Sequence, residues 1–170
     1  MATSVKMLAP NETIWWVPLA GVAVPALPTK VEINAGTNIS CAIVAGGTLN
    51  PTDPTMDNSK SICDSANVDN PILDQYEGNL TFFRDANPAT GTSVFNIAWA
   101  LFKTAGAQGY LIRRYGQLST VVAATGDDIE SFKFEADWPK SIDGGETPGP
   151  IQWTTKFIPL GFMSGLVTLA

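Results

Sequence analysis

The densest run of potential chemistry in this 170-residue chain is Gly126-Asp127-Asp128, followed at once by Glu130. Carboxylates this close can hold a hard cation, but calcium takes about six to eight oxygens and its loops place them at alternating positions, a spacing that is missing here. A solvated turn is the better reading. The Gly-Asp-Asp triplet also occurs in polymerases, but a hairpin turn matches it by chance, and 170 residues leave no room for the rest of such an enzyme. Glu135 and Asp137 lie two apart on a strand-like stretch, so they share a face, as an acid–base pair would need. No third polar group or cleft accompanies them, and an exposed polar face is the simpler account. Gly144-Gly145 lacks both the glycine spacing and the following helix of a phosphate cradle.

The chain has no histidine. That removes Ser-His-Asp and Cys-His catalysis, histidine zinc sites and the commonest general base near neutral pH. Cys41 and Cys63 are too few for a structural zinc and too far apart for a redox motif. Cys41 lies in an apolar run and reads as a small buried hydrophobe, while a Cys41–Cys63 disulfide stays open. Sequons begin at Asn11, Asn38 and Asn79, at or near strands, as chance would place them. Arg113-Arg114 is the one adjacent basic pair and lies far from the N-terminus, so it is no export signal. No catalytic residue, cofactor or metal ligand is assigned, and an enzyme is not expected.

Composition points the same way. Charged residues make up 15% of the chain, against roughly 25% in an average soluble protein, while hydrophobic residues make up an ordinary 45%. Such a chain can bury a core, and its weakly charged surface suits coverage by partners. The net charge is −6, with sixteen acidic and ten basic residues, which argues against tight binding to phosphates. Residues 13–29 are uncharged, yet Glu12 precedes them and Pro18, Pro25 and Pro28 break the helix a signal core requires. Residues 157–170 are also uncharged but too short to span a bilayer as a helix, so no membrane partner is expected.

The elements are mostly strands. Ile14-Trp15-Trp16-Val17 is aromatic and β-branched, and residues 39–44 form a continuous apolar run, which predicts a strand buried on both faces. Residues 45–60, with Gly46-Gly47, Asn50-Pro51 and Asp53-Pro54, carry every turn signal and predict a long loop. Residues 61–65 form a short strand and residues 74–84 a longer one, with Leu80 and Phe82 on one face. After Asn87-Pro88, Thr92 or Ser93 caps the one clear helix. Val94, Ile97, Ala98 and Leu101 form one apolar stripe on it, and Phe95, Trp99 and Phe102 a second. Residues 108–115 and 118–123 read as strands. In residues 130–138, Phe132, Phe134, Ala136 and Trp138 face inward and Lys133, Glu135 and Asp137 outward. Residues 139–150 form a second long loop, and strands at 151–157 and 161–169 close the chain. The fold expected is mainly β: two packed antiparallel sheets, sandwich or barrel, with one flanking helix, as a single domain over residues 1–170.

In order and spacing the whole chain resembles the major tail protein of long non-contractile-tailed phages, of the kind found in actinobacteriophages. Ile14-Trp15-Trp16-Val17 carries the resemblance, followed by Glu32-Ile33-Asn34-Ala35-Gly36-Thr37, Tyr76-Glu77-Gly78-Asn79-Leu80-Thr81-Phe82-Phe83-Arg84-Asp85 and the helix. It continues through Gly109-Tyr110-Leu111-Ile112-Arg113-Arg114-Tyr115-Gly116 and Phe132-Lys133-Phe134-Glu135-Ala136-Asp137-Trp138-Pro139 to Asp143-Gly144-Gly145. No appended immunoglobulin-like domain, such as larger relatives carry, is expected. The resemblance implies a virion structural protein assembled in the host cytoplasm. Copies would form hexameric rings stacked into a tail tube that conducts double-stranded DNA without binding it specifically. Tape-measure and tail-terminator proteins would be its other partners.

Two sets of residues follow as expectations. Gly46, Asn50, Asp53, Asp57 and Lys60 belong to the candidate inter-subunit loop. Lys133, Glu135 and Asp137 are candidates for the lumen wall, where net negative charge would keep DNA from adhering. The rival readings are a secreted or surface β-sandwich that binds a ligand, and a capsid decoration protein.

Overall fold

A computed structural model describes residues 12–57, 70–142 and 149–169. Among the described residues eight strands form one antiparallel sheet in the order β2-β1-β5-β6-β8-β4-β3, with β7 on β8. They are β1 (Glu12–Pro18), β2 (Thr37–Asn38), β3 (Thr48–Asp57), β4 (Asn70–Phe83), β5 (Gln108–Tyr115), β6 (Asp128–Ala136), β7 (Lys140–Ile142) and β8 (Gln152–Thr168). The helices are α1 (Lys30–Ala35) and α2 (Val94–Phe102).

The two sheets expected from the sequence are thus one, curled over a shared core. β8 makes this possible: residues 152–157 pair with β4, and residues 157–168 pair with β6. The two halves then face each other. Trp16 on β1 meets Phe157 on β8 at 6.2 Å between ring centroids, and Tyr76 on β4 meets Phe134 on β6 at 5.0 Å. The Tyr76 hydroxyl donates to the Lys133 carbonyl and accepts from the amides of Leu160 and Phe162, tying β4 to both strands across the curl. Burial raises the Tyr76 pKa. Ala98 and Phe102 on α2 complete this core.

Residues 37–48 join the sheet's two edges. They leave β1 as β2, form a 3-10 turn at Ser40–Ala42, bridge Ile43 to Phe82 and enter β3. The strand expected over residues 39–44 is therefore this turn. Its apolar run reflects Ile39 and Ala42, both buried, whereas Cys41 is an exposed free thiol rather than a buried hydrophobe.

The opposite face of β1 and β5 holds a second core of Trp15, Val17, Tyr110 and Ile112, with Ile33 of α1 and Ala123 over it. Helix α1 was not expected, although Thr29-x-x-Glu32 is a capping box: Thr29 Oγ1 accepts from the Glu32 amide, and the Glu32 carboxylate accepts from the Thr29 amide. Residues 118–123 form turns rather than a strand, and Asn34 exchanges two hydrogen bonds with Ala123 to hold them. Gly109 permits the close approach of β5 to β1, since a Cβ there would lie 2.5 Å from the Val17 carbonyl.

Four further expectations change. Residues 48–57 of the expected long loop are a ten-residue strand, because an edge strand tolerates Pro51 and Pro54 and a bulge lies between Thr52 and Thr55. The loop expected at 139–150 begins with β7. The two last strands are one. Trp138, expected inside, is 63% exposed because β6 ends at Ala136 and the alternation ends with it. The strand expected at 61–65, Cys63, Lys60 and Gly144-Gly145 lie outside the described residues.

Candidate functional site

The carboxylates of residues 127–130 are separated by the fold rather than gathered. Asp127 pairs with Arg114 at 3.0 Å and also accepts the Ala124 amide. Asp128 accepts from the Thr168 hydroxyl, and Glu130 accepts from Arg113 Nε at 2.8 Å. Among the described residues no three metal-ligating side chains come together.

The arginine pair is where sequence reasoning fell short. Alternation sends neighbouring strand residues to opposite faces, so Arg113 and Arg114 serve different cores. Arg114 is fully buried; it donates to Thr13, to the carbonyls of Leu118, Val121 and Val122, and to Asp127, and lies 4.9 Å from the Trp15 ring. The guanidinium fork thereby organises residues 118–127, whose carbonyls would otherwise face the second core unpaired. Arg113, at the rim of the first core, meets Glu130, Glu12 and Asn50. Beside them the Tyr115 hydroxyl donates to Glu130; desolvation, above all, pushes its pKa up to about 12.

The three residues expected on the lumen wall share a sheet face that is polar around Glu135 and meets the second core at Lys133, which pairs with the buried Tyr110. Glu135 lies between Gln108 on β5, whose amide donates to it at 2.7 Å, and Ile158 on β8. Farther across, Lys156 pairs with Asn79, which pairs with Thr48. Lys133 is half-buried on this face, and Asp137 follows the end of β6, where its carboxylate accepts from the Trp138 amide. Charges balance: Glu77, Glu135 and Asp137 stand against Lys133, Lys156 and Lys140, which pairs with Thr154 on the same side of β8 as Lys156.

The other candidate set falls on a ribbon. Only residues 78–83 of β4 pair with β8, so among the described residues the backbone ladder of residues 70–77 is shared with β3 alone. Beyond Tyr76 this two-stranded arm extends up to about 20 Å at roughly 3.3 Å per residue. Gly46 turns the chain into it with φ +100, Asn50 and Asp53 are exposed along β3, and Asp57 closes the pairing opposite Asn70.

Compared with known families, the sequence matches over residues 1–170 the one described as "Phage tail tube protein". No curated protein matches the chain.

Proposed function

Because the chain belongs to the phage tail tube protein family, structural components of the virion tail that self-assemble into a tube, we propose that residues 1–170 act as one tube domain, that copies close into hexameric rings, and that stacked rings conduct the genome during ejection. The observation that carries this reading is the β3–β4 arm. A two-stranded ribbon is at best marginally stable in water, so a third surface must cover it, and in a homopolymer that surface belongs to another copy. Replacing residues 52–75 with a four-residue turn should keep the β-sheet circular dichroism and abolish tubes in negative-stain images. Tubes of normal length would reduce the arm to a connector.

The polar face bearing Lys133, Glu135 and Asp137 is our candidate for the bore. Its balance of charge replaces the net negative charge expected of the wall and still supports passage without adhesion, because a wall dominated by lysine and arginine would bind phosphates by counterion release. Glu135→Lys with Asp137→Lys should leave tubes intact and slow DNA delivery during infection. Unchanged infectivity would place this face elsewhere. Tape-measure and terminator proteins would meet the tube at its ends, and assembly would take place in the host cytoplasm.

A further inference from the structure

The arm needs a receiving surface, and the fold places one at the far end of the same strand. Phe83 ends β4, and Arg84 follows at the mouth of a groove of about 440 Å³ along α2. Ile97, Trp99 and Leu101 line the groove, all half-buried, with Arg84 and Lys103 at its rim. Arg84 lies 4.5 Å from the Trp99 ring and donates to Asn96; Lys103 is exposed just past the helix end. Neither cation forms a close salt bridge with a described residue, unlike Arg113 and Arg114, although Arg84 interacts at longer range with the neighbouring Asp85.

The arm has the complementary character. Residues 48–57 and 70–75 contain Asp53, Asp57 and Asp74 with Met56, Ile72 and Leu73, and no lysine or arginine. On an extended strand Asp53, beside Gln75, is about 30 Å from Arg84, so an arm is directed away from its own groove. A surface at one end of a subunit that fits a different surface at the other makes a heterologous contact, which propagates along an axis. A second groove, lined by Arg113, Glu12 and Leu49, lies at the arm's own base, and its cation is already neutralised.

We propose that the α2 groove, rimmed by Arg84 and Lys103, receives the acidic β3–β4 arm of the next copy in the stack. This rests on the reading of the arm as an assembly element. In tubes of the unaltered protein, a zero-length carbodiimide should join the Lys103 amine to Asp53 or another arm carboxylate of a second chain, with the amide located by mass spectrometry. Asp53→Lys alone and Lys103→Glu alone should each raise the concentration needed for assembly about tenfold, and the combined variant should return to within about threefold of the parent. Circular dichroism would verify the fold of each. Lys103 linked only to carboxylates outside the arm, or a double variant no better than the singles, overturns the groove assignment. That result with Asp53→Lys still defective leaves the arm as an assembly element with a different receiver. An Asp53→Lys chain that assembles like its parent, together with absence of arm cross-links, overturns the reading of the arm itself.

Discussion

The body strands β1, β5 and β6 and the β3–β4 arm are built from the same hydrogen-bond ladder, yet they differ in what covers them. Each body strand has a neighbour on both sides, and much of each lies between the first core and the layer made by α1 and residues 118–127. Among the described residues each arm strand has one neighbour. Ladder hydrogen bonds contribute only about 0.5–1.5 kcal/mol net, and side-chain burial supplies most of the rest. The body therefore owes its stability to contacts within its own chain, whereas the arm, on the proposed reading, gains its cover from a second copy. Stability and assembly should consequently respond to different substitutions.

Phe157→Ala should test that division most severely. Phe157 is fully buried against Trp16, Phe102 and Phe134, and its loss should cost about 3–5 kcal/mol in chemical denaturation. Thr52→Ala on the arm should stay within about 0.5 kcal/mol of the parent. Comparable losses would mean that the arm is part of the body.

Arg114→Met should come next, at about 3 kcal/mol, because it leaves Asp127 and three carbonyls without their shared donor. Hydrogen exchange should quicken across residues 118–127 and not across β3; faster exchange in both would merge the two regions.

Gly109→Ala should lower stability by about 1–3 kcal/mol through overpacking between β5 and β1. A neutral result would show that the two strands can separate without cost.

The smallest effect concerns pH. Amide donation from Thr29 and Ala23 holds the Glu32 carboxyl below its ordinary value near 4.5, so the native state favours the ionised form. Its contribution is full above about pH 4.5 and is lost as pH falls through the lowered value. Glu32→Gln, which removes the titrating group and keeps Thr29 as the helix cap, should flatten the acid side of the stability curve. An unchanged acid limb would mean that the capping box does not form.

Strands with one wet face or strongly aromatic and β-branched composition were legible in the sequence: β4 and β6 follow period-two alternation, β1 and β5 are apolar runs buried on both faces, and the Phe132-Phe134-Ala136 row is buried as its spacing predicts. The same local signals misled wherever distant residues decided. Asn50-Pro51 and Asp53-Pro54 are turn-like by themselves but form a strand because β4 offers a ladder to an edge that does not need every amide. Residues 39–44 are apolar because a turn closes the curl there, not because a strand runs through it. The capping box that starts α1 was present in the sequence and marks the one helix that local reasoning could have added.

By itself, then, the sequence determined that the protein is mainly β, carries no histidine chemistry and has the order of elements of a tail tube subunit, since alternation, composition and spacing are local properties of the chain. Only the tertiary structure decided that two expected sheets are one curled sheet, that Arg113 and Arg114 serve different cores, and that the expected loop is an arm whose far end lies opposite a cationic groove. Each of these depends on which distant strand supplies the next ladder, and pairing energy between residues tens of positions apart leaves no mark on either segment alone.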